Sequence, residues 1–331
     1  KVHFWKVTAV DKAGKESAYS GVKSSSTYGA TTQLQSPIYA MWNGYLGMTN
    51  VLELVNKEDS GVIAEVSLYD ISGRRASKNR YTLAAMTQFD VILNTLSGFK
   101  PNSYGIIEIS FVGNISGRVA FYRSEGNADD YEFAFAVPLR DALRGRTAVG
   151  FNTFQPSRNS QDASLPVFQW LSLVNLNASN SKKYTIRRYD QTGKELSAAT
   201  VSVPPLGRVD LEAGHIDPGR NTVGMHVITP LDASSPYLAQ IIRYGAKDQG
   251  AQNFAFAFPL NAEAGASQPQ WLPISNGAGG QNWVEVLNMT SSKVSLEATL
   301  YNNAGAQIGR ELFALNGHSQ RHINASSLLG E

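Results

Sequence analysis

Cysteine is absent from the 331-residue chain, and this absence excludes disulfides, thiolate zinc sites and a cysteine nucleophile. Charged residues make up only 17% of the chain, so Ser, Thr, Asn, Gln and Gly must provide much of the polar surface. The net charge is +2 and no run of like charge occurs, which argues against a surface for nucleic acid or an anionic membrane. No apolar stretch reaches the roughly 20 residues that a membrane span requires.

The sequence does contain a long internal repeat. The stretch 50–90 returns at 170–210 and again at 283–323. Its register is marked by an Asn that ends an apolar run, a Tyr followed by Asp or Asn, and a Gly four residues after that Tyr. The markers are Asn56, Tyr69 and Gly73, then Asn175, Tyr189 and Gly193, then Asn288, Tyr301 and Gly305. The marker tyrosines are 120 and 112 residues apart, which indicates a domain duplicated in tandem rather than a solenoid unit of roughly 20–50 residues.

Hydrophobic alternation with a period of two predicts that each repeat folds as antiparallel strands. Val62, Ala64, Val66 and Leu68 share one face of a strand, and polar residues lie between them. Short strands at regular turn signals favour an antiparallel sandwich or barrel, and the segments with helical potential are short. We therefore predict an all-β protein built of tandem Ig-like antiparallel β-sandwich modules, with a repeat of about 115–120 residues.

The repeat predicts the domain organisation. The predicted parts are the end of another domain at 1–22, a small and polar linker at 23–36, module 1 at 37–148, module 2 at 149–265 and a partial module 3 at 266–331. The marker Asn residues are interpreted as strand-end residues that hydrogen-bond the backbone and fix a turn. A ligand site repeated in each module is the alternative.

The first 22 residues read as two strands around a turn at Asp11–Gly14. Their spacing resembles the last two strands of a fibronectin type III domain. The residues that carry this resemblance are Phe4, Val7, Ala9, Asp11, Gly14, Glu16 and Ser17. Two strands alone are marginally stable in water, so the resemblance implies missing strands upstream or a sheet edge from another chain.

Module 3 contains the equivalents of the first five strands of module 1 and none for residues 105–137. A sandwich without those strands would expose a core face and an open sheet edge. Two explanations are open. The gene product continues, or a strand from another subunit completes the module by head-to-tail strand exchange.

Few side chains are spaced for chemistry. His318 and His322 would lie about 13 Å apart on one strand face, which is too far to share a metal. The sequence contains no HExxH, no Gly-x-Ser-x-Gly and no phosphate-binding loop, and no carboxylate pair recurs at matching positions. Asp129, Asp130 and Asp248 lie in corresponding loops without the dense acidic pattern of calcium sites. We expect no enzymatic activity, no metal and no cofactor.

Aromatic residues are the remaining candidates for ligand contact. Trp170, Trp271 and Trp283 occupy positions that are apolar in every repeat, which predicts that they pack in the core. Trp42 and Tyr45 lie in a glycine-containing loop instead. We predict that these two side chains are exposed and contact a ligand or partner.

The tandem units resemble the repetitive Ig-like modules of large microbial surface proteins, in which an apolar strand ends in Asn and the next strand ends in Tyr-Asp-x-x-Gly. This resemblance implies an extracellular or cell-surface location in a prokaryote, and the missing thiols fit an exported protein, although cytosolic proteins can also lack cysteine. We expect a non-catalytic structural or adhesive protein, a piece of a longer surface or filament-forming protein that associates with itself or with other surface proteins. The alternative is a carbohydrate-binding accessory region of a secreted enzyme, because fibronectin type III units often accompany such enzymes.

Overall fold

A computed structural model describes residues 2–5, 23–26, 37–124, 131–154, 165–247, 254–274 and 282–325. All regular elements in these ranges are antiparallel strands, apart from two short 3-10 turns at Tyr45–Gly47 and Leu93–Thr95. The all-β prediction is therefore confirmed. None of the described helical turns is long and apolar enough to cross a membrane.

Eight strands form the first sandwich. They are β3 (Ile38–Asn43), β4 (Thr49–Asn56), β5 (Val62–Asp70), β6 (Arg75–Leu83), β7 (Gln88–Ile92), β8 (Tyr104–Phe111), β9 (Ile115–Ser124) and β10 (Tyr131–Pro138). One sheet has the order β3-β8-β5-β6 and the other has the order β10-β9-β4-β7. Leu52 and Leu54 from one sheet meet Val66 and Leu68 from the other in a fully buried core. The alternation read from the sequence therefore places one face of each strand between the two sheets.

The second sandwich repeats this arrangement. Its strands are β11 (Thr147–Asn152), β12 (Val167–Asn175), β13 (Lys182–Asp190), β14 (Glu195–Val203), β15 (Arg208–Glu212), β16 (Val223–Pro230), β17 (Tyr237–Ala246) and β18 (Phe254–Asn261). The sheet orders are β11-β16-β13-β14 and β15-β12-β17-β18, which are the orders of the first sandwich shifted by eight strands. Leu171, Leu173, Ile186 and Ile228 lie in its core.

Both sandwiches place their edge strands differently from a constant-type immunoglobulin domain. In that domain the first strand pairs with the second. Here the first strand pairs with the sixth, and the seventh pairs with the second. The fourth strand pairs with the third here, whereas it pairs with the fifth in that domain. The architecture is a two-layer antiparallel β-sandwich in which the first, fourth and seventh strands lie in the opposite sheet from those of a constant-type domain.

The third unit contains four described strands. They are β19 (Trp283–Leu287), β20 (Val294–Tyr301), β21 (Gln307–Leu315) and β22 (Gln320–Asn324). Within the described ranges, β19 pairs only with β22 and β20 only with β21. Leu300 and Ile323 are buried between the two strand pairs.

The ends of two predicted segments differ from the structure. β11 begins at Thr147 and pairs within the second sandwich, whereas the sequence places residues 147 and 148 in module 1. The segment predicted as a linker contains strand β2 (Lys23–Ser26), which pairs antiparallel with β1 (Val2–Trp5). The predicted turn at Asp11–Gly14 and the second predicted strand of that domain end lie outside the described residues.

Candidate interaction surface

The marker Asn residues each tie a strand end to the turn before the fifth strand. Asn175 Nδ2 donates to the carbonyl oxygens of Asn180, Val203 and Pro204 at 2.9, 3.1 and 3.0 Å, and its Oδ1 accepts from the Asn177 N–H at 2.9 Å. Asn56 and Asn288 make the same set of bonds. All three are buried, and these bonds give their amide groups the hydrogen-bond partners that buried polar groups require.

The turn that each marker Asn holds has one conformation in all three units. Its third residue has a positive φ, which non-glycine residues rarely adopt. These residues are Met86 (φ 52°), Leu206 (φ 49°) and His318 (φ 55°). We call this segment the docking turn, comprising residues 84–87, 204–207 and 316–319.

A second recurring turn follows the marker tyrosine. Asp190 Oδ1 accepts from the N–H groups of Thr192 and Lys194 at 2.8 and 3.0 Å, and Asp70 caps its turn with the same pattern. Burial raises the pKa of both carboxyls, but hydrogen bonds from the hydroxyls of Ser72 and Thr192 and from these N–H groups bring it below the usual value.

The glycine of this second turn is where one unit approaches the next. Gly73 and Gly193 have φ values of 81° and 96°, so a side chain would be strained at either position. A Cβ on Gly73 would lie 1.7 Å from the Pro205 oxygen, and a Cβ on Gly193 would lie 2.1 Å from the Gly317 oxygen. Each glycine therefore permits backbone contact with the docking turn of the following unit.

The contact between units is the same at both junctions. The Arg208 N–H donates to the Ile71 carbonyl at 3.1 Å, and the Gln320 N–H donates to the Gln191 carbonyl at 3.1 Å. Both bonds start from the first residue of the strand that follows the docking turn, β15 or β22. Both end on the carbonyl of the residue two positions after a marker tyrosine.

Apolar side chains fill each junction. The first cluster contains Tyr39, Met41, Tyr69 and Ile106 of the first sandwich with Val174, Leu176, Leu206 and Leu238 of the second. The second cluster contains Ala148, Tyr189, Met225 and Val227 of the second sandwich with Leu287 and Met289 of the third unit. The ring of Tyr189 stacks on His318 of the docking turn at 4.3 Å, where Leu206 packs in the first junction. Burial raises the pKa of Tyr39 to about 12, with the Glu108 charge adding to the shift, so this phenol stays neutral at the junction.

Arg208 anchors the first junction. Its guanidinium donates to the carbonyls of Trp42 and Gly105 in the first sandwich at 2.9 and 3.2 Å, and it pairs with Asp210 at 2.8 Å within its own sheet. It also lies 4.5 Å from the ring centre of Tyr104. The side chain is almost completely buried, so every one of these contacts acts with little solvent screening.

The corresponding position at the second junction holds Gln320. Its Nε2 lies 2.8 Å from His322 Nε2, and His322 lies 3.6 Å from Glu285. Burial lowers the pKa of His322, which favours its neutral form at the junction. The two junctions therefore share their backbone geometry and differ in their polar anchors.

A further contact joins the first two sandwiches along β10 and β18. Glu132 accepts from the Phe254 N–H at 2.7 Å and pairs with Arg123 at 2.8 Å. Phe133 packs edge-on against Tyr244 at 6.1 Å between ring centres. This contact extends the first junction into a continuous apolar core that runs from one sandwich to the next.

The residues equivalent to these junction residues are exposed on the outer ends of the first and third units. Tyr69 and Tyr189 are each 6% exposed, whereas Tyr301 is 42% exposed and stands 5.6 Å from Trp271, which is 77% exposed. Gly305 also has a positive φ, and no neighbouring atom of the described residues lies within 4 Å of the position that a Cβ would take. We call Trp271, Tyr301 and the turn 302–305 the rear face.

The opposite end carries the docking turn of the first sandwich. Met86 is 67% exposed there, and Gln88 stands at the position of Arg208 and Gln320. Val55 corresponds to Val174 and Leu287 in the two junctions. We call Val55, Met86 and Gln88 the front face.

The structure separates the two aromatic residues predicted as exposed contacts. Trp42 is fully buried, its Nε1 donates to the Tyr69 carbonyl at 3.0 Å, and its ring packs on Phe99 at 5.0 Å. It belongs to the core, because β3 continues through Asn43 and carries the indole between the sheets. Tyr45 is exposed beside Tyr104, at 5.9 Å, and its role as a contact stays a prediction.

The tryptophans predicted to be core residues lie instead on outer surfaces. Trp170 and Trp283 are exposed on the outer faces of β12 and β19, and Trp271 is exposed on the rear face. An apolar position can recur because it faces a neighbouring unit, so recurrence alone does not identify the core.

The second sandwich contains a buried polar cluster of His226, Arg188 and Glu212, which the sequence analysis did not predict. His226 and Arg188 are cross-strand neighbours, at positions that hold Ile107 and Leu68 in the first sandwich. Arg188 pairs with Glu212 at 2.8 Å. Aligning the two modules strand by strand reveals this charge in an apolar position, which is the signal that identifies it.

The pKa values of this group follow from its burial. Desolvation, with the Arg188 charge adding to it, lowers the pKa of His226 to about 3. The pKa of His215 is also lowered by burial. Burial raises the pKa of Glu212, but hydrogen bonds from the Ile216 N–H and the charge of Arg188 bring it below the usual value. Both imidazoles are therefore neutral near pH 7, beside a fully ionised Arg–Glu pair.

In the described ranges, no group of three His, Asp or Glu side chains is placed to hold a metal ion. No protein-family model matches the chain. No curated protein matches it at a significant level.

Proposed function

We propose that this chain is a non-catalytic structural or adhesive protein, in which face-docked sandwiches form a stiff spacer. The observation that carries the proposal is the repeated junction, with the same backbone hydrogen bond, the same glycine approach and a buried apolar cluster each time. Interfaces that are apolar and well packed restrict the relative motion of domains. A spacer needs such restriction, whereas a string of independent binding domains does not.

The proposed location and the larger protein around this chain rest on the sequence resemblances. The fibronectin type III-like start and the likeness of the tandem units to microbial surface modules support an extracellular or cell-surface place in a prokaryote, within a longer surface or filament-forming protein. Strand exchange is a further proposed route of assembly, supported by β19 and β20, each of which pairs with one strand among those that the structure describes.

The test is the shape of the chain in solution. Small-angle X-ray scattering and negative-stain electron microscopy should show one elongated particle, with a constant distance between the two sandwiches and a scattering profile that a single conformation fits. A profile that requires many interdomain orientations would contradict the spacer.

A second candidate function is glycan binding as an accessory region, favoured by the exposed Trp170 and Trp283. Both occupy the same position in their units, five residues before the marker Asn, and an exposed indole face can stack on a sugar ring. A glycan array probed with fluorophore-labelled protein should show binding, and the affinity for the bound glycan should fall about tenfold in Trp170→Ala or Trp283→Ala. Tyr45→Ala tests the remaining loop candidate in the same assay. An array without a hit would remove this function.

A further inference from the structure

The rear face of the third unit has the marker tyrosine and the turn that each internal junction uses on its first partner. None of the described strands of this unit corresponds to β3 or β8, which contribute Met41 and Ile106 to the first junction. Tyr301 stands where Tyr69 and Tyr189 are buried. Asn302 Oδ1 accepts from the N–H groups of Ala304 and Ala306, both at 3.0 Å, as the aspartates do in the other two turns. The rear face is therefore formed in advance, with an exposed aromatic pair at its centre.

The front face of the first sandwich has the features that each junction uses on its second partner. Asn56 holds the docking turn with the bonds that Asn175 and Asn288 make, and Met86 has the φ of Leu206 and His318. By the strand register, the N–H of Gln88 points away from β4, as the N–H of Arg208 does. One chain thus carries both halves of a contact that it makes twice internally.

We propose that the front face of one copy of this chain docks on the rear face of a second copy, head to tail. Met86 packs on the ring of Tyr301, and the Gln88 N–H donates to the Asn303 carbonyl, which takes the place of Ile71 and Gln191. This inference rests on the proposed function, because it takes the internal junction as the geometry of the contact. A contact of two different surfaces does not close on itself unless its rotation forms a ring, so it extends copies into filaments.

The front face also sets the strength of the contact. Lys57 and Ser116 stand where Leu176 and Leu238 fill the first junction. The front face therefore lacks two apolar side chains of the internal junction and keeps Val55 and Met86. The described strands of the third unit also carry no equivalent of Met41 and Ile106. The association is weaker than the internal junction and depends on protein concentration.

The test uses the full chain and two blocked variants in sedimentation velocity. The front-blocked variant is Met86→Glu and the rear-blocked variant is Tyr301→Glu; both side chains are exposed, so circular dichroism should remain unchanged. Wild type should form longer species as concentration rises, and each blocked variant alone should remain a monomer. An equimolar mixture should stop at dimers, because the front-blocked chain offers only a rear face and the rear-blocked chain only a front face. Leu231→Glu, which places the same charge at an exposed site away from both faces, should assemble like wild type.

A gain of affinity provides an independent check. Lys57→Leu with Ser116→Leu restores the apolar contacts of the internal junction and should tighten association by roughly tenfold or more for each leucine. Monomers at every concentration in both wild type and this double variant would overturn the proposal. Assembly that persists in both blocked variants would also overturn it and assign the contact to strand exchange at β19 and β20. Neither result bears on the spacer, since the distance between sandwiches is measured on the monomer by scattering.

Discussion

Arg208→Ala is expected to lower the free energy of unfolding by about 3–5 kcal/mol, the usual cost of removing one partner from a buried ion pair. The change leaves Asp210 without its partner and removes the donors to the Trp42 and Gly105 carbonyls. It also empties the space beside the Tyr104 ring. Urea unfolding measures the effect, and small-angle scattering should show the two sandwiches moving apart or reorienting.

Two further variants test whether the loss of stability comes from the junction or from a general loss of positive charge. Arg310→Ala removes an exposed arginine that pairs with the exposed Glu297 at 2.9 Å, so it should lower the free energy of unfolding far less than Arg208→Ala does. Arg208→Gln introduces the residue that the second junction uses at this position, so it should recover part of the stability. An Arg208→Ala protein as stable as Arg310→Ala, with unchanged scattering, would show that Arg208 does not hold the junction.

Acidification is expected to destabilise the second sandwich through His226. The pKa of His226 is about 3 in the folded protein against 6.5 for an ordinary histidine, because burial and the nearby Arg188 charge oppose protonation. Between pH 6.5 and about 3, the unfolded chain therefore binds a proton at this histidine, and the folded chain does not. Stability is lost by up to about 1.4 kcal/mol per pH unit from pH 6.5 down to about 3, and it is unaffected by this group above pH 6.5.

The variant His226→Ile should remove this dependence, because the first sandwich uses isoleucine at the same position. The groups that face His226 are Arg188 on β13 and Glu212 at the end of β15, with His215 next to Glu212. Glu212 and His215 also titrate, so the measurement is the difference in unfolding free energy between wild type and variant, taken at several pH values between 7.5 and 5. We expect that difference to grow by about 1.4 kcal/mol for each pH unit below 6.5.

Ile228→Val is the matched control for this comparison. It should lower stability by about 0.5–1.5 kcal/mol at every pH, because it removes one buried methyl group and no titrating group. Parallel pH curves for wild type and His226→Ile would show that His226 does not carry the acid sensitivity.

Strand positions and turns were predictable from the sequence. The alternation at 62–69 identified β5, which ends one residue later, and the marker glycines identified turns whose φ values are positive in all three units. These features depend on interactions within a few residues, which the local sequence contains. The marker Asn residues fix turns, as the sequence predicts, but Asn175 also binds the carbonyls of Val203 and Pro204, which lie 28 and 29 residues away at the end of another strand.

Only the tertiary structure shows which residues of each strand face outward. Alternation separates the two faces of a strand but does not say which face meets the other sheet, which meets a neighbouring unit and which meets solvent. Trp42 was therefore predicted to be exposed and is buried, whereas Trp170 and Trp283 were predicted to be buried and are exposed. The junction anchored by Arg208 joins residues more than 100 positions apart, so only the packed units bring its donors and carbonyls together. Local alternation and turn signals are enough to predict the sandwich strands, their turns and the repeat, whereas the packing of one sandwich on the next controls which surfaces are available for contact.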